Sequence, residues 1–182
     1  METTNEVIII DLEATCWEND GEHQKQHSEI IEIGICKLNT VTGKITASDG
    51  ILVKPVKSKI SPFCTKLTSI TPQMVDEHGI SLAEACGILE KEYGSKQLTW
   101  ASYGVYDRSM LKEQCQKFGV RYPMSNHHIN VKVLFSEVYG LQKAIGMAGA
   151  LRMLKLPLEG THHRGVDDAK NIAKILSDLL AG

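Results

Sequence analysis

The sequence contains no apolar run approaching the ~20 residues of a membrane-spanning helix. No cationic segment leads into an apolar one near its start, where METTNE is polar and acidic. These absences predict a soluble, cytoplasmic protein with no membrane partner. A paired cysteine pattern is missing as well. The five cysteines, Cys16, Cys36, Cys64, Cys86 and Cys115, are odd in number, scattered and free of C-x-x-C spacing. That disfavours a disulfide framework and a structural zinc site, and predicts reduced core thiols. Charge of one sign is not in excess either: at a net −2 there is no global pull on a polyanion, so nucleic acid would be held by a local patch or through metal ions. The main basic group, Lys54, Lys57, Lys59 and Lys66, reads as a solvated loop. Internal repeats and low-complexity tracts are also missing. With 182 residues, 42% hydrophobic and 23% charged, the chain reads as one domain, residues 1–182.

Near the start stands VIIIDLEATCW, Val7 to Trp17. Val7 and Ile9 on one side and Ile8, Ile10 and Leu12 on the other are apolar, the mark of a strand covered on both faces. Alternation puts Asp11 and Glu13 on one side, roughly 7 Å apart along the backbone, within reach of one cation. A strand surfacing into an acidic turn would explain one such carboxylate more simply than two.

The segments Glu29–Leu38 and Ile45–Val53 read as further strands around a Thr42-Gly43 turn, so the chain opens as a meander. ENDGEHQKQHS, Glu18 to Ser28, reads as a polar loop. Ser61-Pro62 and Thr71-Pro72 are N-cap and N1 pairs of short helices, and Ser81-Leu-Ala-Glu84 is a capping box opening a helix to about Tyr93. Then come a strand, Leu98–Tyr103, a helix ending before Gly119, a short strand, Ile129–Val133, and a helix, Gln142–Leu154. A loop, Leu156–His163, precedes a last helix to about Leu180. A meander followed by alternating strands and helices predicts an α/β fold with a mixed sheet covered on both faces.

Two more carboxylates read as inward-facing. Asp107 shares a helical stripe with Leu111, Cys115 and Phe118, whereas Ser109, Lys112, Glu113 and Gln116 form the polar side. In the last helix Asp168 leads to Ile172, Leu176 and Leu179, and its neighbour Asp167 to Asn171, Lys174 and Asp178. Asp168 is therefore expected to face in and Asp167 to face solvent; an N-cap is the plain alternative for either aspartate. Asp11, Glu13, Asp107 and Asp168 gathered at one sheet edge would repel strongly unless cations neutralised them. An all-oxygen set favours Mg²⁺ or Mn²⁺, and two such ions about 3.5–4 Å apart hold the attacking and leaving oxygens of a phosphodiester. His163, five residues before Asp168, is placed to act as a base. His162, His127 and His128 read as surface or capping histidines.

The stretches DLEATCW, WASYGVYDRSML and HHRGVDDAKNIAKIL resemble the three motifs of the DEDDh 3′-to-5′ exonucleases, within the RNase T and DNA polymerase III epsilon superfamily. The likeness runs from about Val7 to Leu180. HSEIIEIG and LTSITPQMVD make it resemble the Eri-1-like subgroup, which includes KapD-type proteins. The resemblance implies a ribonuclease H-like five-stranded mixed sheet with helices on both faces, two Mg²⁺ or Mn²⁺ ions on the four acids, and His163 as general base. It further implies that Ala14 contacts the terminal 3′-hydroxyl, that Trp17 and Leu67 flank the terminal base, and that the partner is a single-stranded 3′ end, RNA rather than DNA. Ser102 and Tyr103 replace the Asn-rich pattern of proofreading enzymes, which points away from polymerase proofreading. The alternatives are a DNA repair or proofreading exonuclease and a non-catalytic nucleic-acid-binding module.

Overall fold

The computed structural model describes residues 4–19 and 21–182. The first three residues of METTNE and Asp20 of the polar loop lie outside them. Strand β1, Glu6–Ala14, runs through the middle of the fold, and its two apolar sides enter two separate cores. A short helix, α1, Gly21–His27, follows where the sequence predicts only loop; it buries none of its residues, so no apolar periodicity announces it. Strands β2, Ile30–Asn39, and β3, Ile45–Leu52, complete the meander. Helices α2, Pro62–Thr68, α3, Pro72–His78, and α4, Leu82–Tyr93, begin at Ser61, Thr71 and Ser81, each side chain capping its first turn, with the Ser81–Glu84 capping box formed in both directions.

Strand β4, Thr99–Ser102, leads into α5, Tyr106–Lys117, and Gly119 turns the chain at φ 65°. Strand β5 is only His128–Asn130, and helix α6, Val131–Val138, takes over where the sequence reading extends the strand to Val133. The Asn130 side chain accepts from Val133 N–H and caps that helix. Helix α7 is Met147–Leu154, five residues shorter at its start than its sequence reading, and α8, Gly165–Ala181, closes the described chain. The sheet order is β3-β2-β1-β4-β5, with β1, β2 and β3 antiparallel to one another in turn and β4 and β5 parallel to β1.

One face carries α4 and α5 over Ile8, Ile10 and Leu12; the other carries α6, α7 and α8 over Val7 and Ile9. Helix α8 crosses the sheet closely because Gly34 and Gly165 meet without side chains. A Cβ on Gly34 would lie 1.8 Å from the Gly165 carbonyl carbon, so no other residue fits there without moving the helix.

Candidate active site

The end of β1 sets the site. Asp11 and Glu13 point to the same side, as alternation requires, just before a bulge between Glu13 and Ala14. The N-terminal turn of α8 brings Asp168 to them, and one carboxylate oxygen each from Asp11, Glu13 and Asp168 lie within 4.8 Å of one another. Asp107 enters from the first turn of α5, where its Oδ1 accepts the Leu12 N–H at 2.8 Å. Four carboxylates from β1, α5 and α8 thus share one electrostatic environment.

The ionisation of Asp11, Glu13 and Asp107 shows the conflict. Burial, then the charges of Asp107, Glu13 and Asp168, hold the Asp11 carboxyl well above its usual range. Burial, followed by Asp168, Glu32 and Asp107, pushes Glu13 up to about 9. Asp107 rises to about 6 through burial, although the Leu12 N–H opposes the shift. Protein groups alone do not balance this charge, and a divalent cation would. The donor set is all oxygen and fits a hard cation such as Mg²⁺ or Mn²⁺.

Helix α8 is fixed by a buried ion pair. Glu32, fully buried on β2 directly beside Glu13, receives Arg164 Nε at 3.2 Å and Nη2 at 2.9 Å, and also the Gly165 N–H. Asp168 is 4% exposed, and its Oδ2 accepts the His163 N–H at 2.8 Å. Asp167 is only half-buried but does not simply face solvent: its Oδ2 accepts the Thr161 N–H at 2.9 Å. Asn171, assigned by periodicity to the polar side, is fully buried because its amide bonds both Glu159 N–H and Glu159 O.

His163 is half-buried at φ 66°, with its ring stacked on His162 at 4.0 Å between centroids. Burial, then the neighbouring His162, holds the His163 imidazole below its usual value, with Asp168 pulling the other way. His162 is exposed, in keeping with its surface reading, and its Nδ1 also lies 3.0 Å from Asp168 Oδ1.

A cleft of about 670 Å³ opens beside Glu13, lined by Ala14 and Leu67 and by Gln24 and Lys25 of α1. Tyr106, Met110 and Gln114 of α5 form its other wall. Leu67 is 39% and Tyr106 60% exposed. Trp17 lies outside that lining. It is half-buried, donates its backbone N–H to Gln24 Oε1 at 2.8 Å, and meets the His23 ring edge-on at 4.3 Å, so it braces α1 as the wall of the cleft. Tyr106 and Lys25 escaped the sequence reading, since an exposed aromatic or lysine on a helix carries no periodic signal. A further brace is Glu29: burial raises its carboxyl, but bonds from Ser58, Val56 and Lys57 outweigh that and hold it below the usual range, pinning the basic loop. Lys54, Lys57 and Lys59 on that loop are exposed, as expected.

This sheet with a carboxylate cluster at the end of its central strand defines a ribonuclease H-like fold with an all-oxygen acidic centre that fits a hard cation. A family profile described as "Exonuclease", of the RNase T type, matches residues 8–176. The chain belongs to this family, the DEDDh 3′-to-5′ exonucleases. It is similar to the 3′-5′ exonuclease Snipper of Drosophila melanogaster, 29% identical over 99% of this chain and 71% of the relative. ERI1 exoribonuclease 3 of Homo sapiens is 33% identical over 94% of this chain, which spans about half (52%) of that relative. The nuclease domain of 3′hExo, a DEDDh family member bound to rAMP, superposes with a TM-score of 0.85 at 29% identity, covering 99% of this chain and 94% of that one.

Proposed function

We propose that this protein removes nucleotides one at a time from the 3′ end of single-stranded RNA, releasing nucleoside 5′-monophosphates. The convergence of Asp11, Glu13 and Asp168 within 4.8 Å, with Asp107 beside them, carries this reading. Those four acids would hold two Mg²⁺ or Mn²⁺ ions, which when bound neutralise the phosphate and polarise the reacting oxygens. The His163 imidazole, held below its usual pKa, is neutral at physiological pH and takes a proton from the attacking water. The water oxygen bonds to phosphorus as the P–O3′ bond breaks, and the departing O3′ takes a proton from solvent to become the 3′-hydroxyl of the shortened strand, while His163 later returns its proton to solvent. Ala14 and Leu67 sit where the terminal nucleotide lies, and Tyr106 offers its base an exposed ring.

RNA is favoured by the relatives named exoribonuclease and by the rAMP held in the 3′hExo nuclease domain. Matched RNA and DNA strands, 5′-labelled, compared in Mg²⁺, Mn²⁺ and EDTA, test the preference. RNA should be cut at least ~10-fold more efficiently, the effect of about one net hydrogen bond to the 2′-hydroxyl. Equal rates, or faster cleavage of DNA, would overturn the RNA assignment.

A further inference from the structure

A second, smaller cavity lies on the opposite flank of α5 from the main cleft. It has a volume of about 70 Å³ and is lined by Trp100, Arg108, Lys112, Tyr122, Asn126 and His128, with Ser125 completing it. No carboxylate contributes to that lining. Arg108 and Lys112 are both exposed, and among the described residues neither forms an ion pair. Like charges at i and i+4 repel across one helical turn, about 5.4 Å, so an anion seated between them relieves a standing repulsion.

The floor of the cavity is tied together by polar and ring contacts. Trp100 Nε1 donates to Ser125 O at 3.1 Å, the His128 ring lies 4.2 Å from Trp100, and His128 Nε2 is 2.8 Å from Ser102 Oγ. Burial, then the charge of Arg108, pushes His128 down to about 4, so the cavity's positive charge at neutral pH comes from Arg108 and Lys112. The Asn126 amide at the exposed rim adds a neutral donor.

Its position relates it to the acidic centre. Arg108 directly follows Asp107, while Ser109, Met110 and Glu113 on the other flank of α5 line the main cleft. The helix therefore stands between two cavities, and its exposed N-terminal end, Val105 (56%) and Tyr106 (60%), is an apolar ridge for unstacked bases.

We propose that this cavity is a phosphate subsite in which Arg108 and Lys112 hold a phosphodiester of the substrate strand upstream of the nucleotide being removed. The proposal rests on the exonuclease reading above. A strand whose 3′ end occupies the main cleft passes over the start of α5 and sets its backbone against the two cations.

The test compares the parent, the variant Arg108→Gln/Lys112→Gln, and a control of equal charge change at exposed distant positions, Lys44→Gln/Arg152→Gln. Affinity for a single-stranded RNA dodecamer is measured in Ca²⁺ across a salt series, and kcat/KM for a dinucleotide in Mg²⁺. The subsite variant should bind the dodecamer about tenfold or more weakly, with the salt dependence of log Kd reduced by about 1.4, two contacts at ~0.7 each. Its dinucleotide kcat/KM should match the parent's, and the control should match the parent in both assays. Equal losses on dinucleotide and dodecamer, an equal loss in the control, or no change on the dodecamer would overturn the subsite. If inorganic phosphate shifts the His128 ring resonances and the dodecamer does not, the occupant is free phosphate and the strand assignment fails. Cleavage of the dodecamer by the parent in Mg²⁺ judges the exonuclease reading separately, and its absence would remove both.

Discussion

Glu13 shares the electrostatic cost of the acidic centre with Asp11 and Asp107. Its carboxyl moves from an ordinary 4.5 to about 9 in the fold. A folded-state pKa above the unfolded one means that the native state binds more protons between those values, so stability falls as pH rises through that window. In EDTA, the melting temperature of Glu13→Gln should exceed the parent's by a margin that grows from pH 5 to pH 9, and Mg²⁺ or Mn²⁺ should shrink the margin by stabilising the parent. A margin independent of pH would mean that Glu13 does not carry the strain. At α8 the two neighbouring aspartates should separate. Asp168→Asn should abolish most turnover, whereas Asp167→Asn keeps an acceptor for the Thr161 N–H and should retain it; steady-state rates on a 3′-labelled strand decide. The two histidines should separate as well. His163→Ala should lower the rate at saturating metal by roughly 10²- to 10⁴-fold with metal affinity kept. His162→Ala, which frees Asp168 Oδ1, should weaken metal binding by roughly 10- to 100-fold. Calorimetric metal titration beside the rates tells these outcomes apart, and identical profiles would contradict both roles.

Between elements, the Glu32–Arg164 pair and the Gly34–Gly165 contact join β2 to α8 and so place Asp168 opposite Glu13. Arg164→Met strands a fully buried carboxylate. That costs about 3–5 kcal/mol, a fall in Tm of roughly 6–20 °C for a chain of this size, measurable by thermal melting. An unchanged Tm would assign the placement of α8 to packing alone. Helix α1 has no core of its own and leans on Trp17. Trp17→Ala should therefore speed hydrogen exchange across Gly21–His27, while Tyr106→Ala should weaken single-stranded binding by about tenfold or more through lost base stacking. A binding loss in Trp17→Ala with α1 still protected would make Trp17 itself a base platform.

Across the whole molecule, the readable parts were those governed by local rules. The two-faced strand β1, the proline-led caps at Ser61 and Thr71, the capping box at Ser81 and the stripe that buries Asp107 each depend on neighbours within a few residues. Three features depend on something else. Helix α1 is polar all round, the turn from β5 into α6 joins apolar residues that suit either state, and the Glu32–Arg164 pair joins residues 132 apart in sequence. The candidate site divides in the same way. Its acids were legible because each lies on an apolar face, but the His162–Asp168 bond depends on the left-handed backbone at His163, which composition does not announce. The central claim is that four carboxylates from three elements form one metal-dependent centre acting from the 3′ end. A single-stranded RNA, labelled at its 5′ end, should give in Mn²⁺ or Mg²⁺ a ladder that shortens by single nucleotides. The ladder should be absent in EDTA and with Asp11→Asn. Internal cuts, shortening from the 5′ end, or a ladder that persists in EDTA would contradict it.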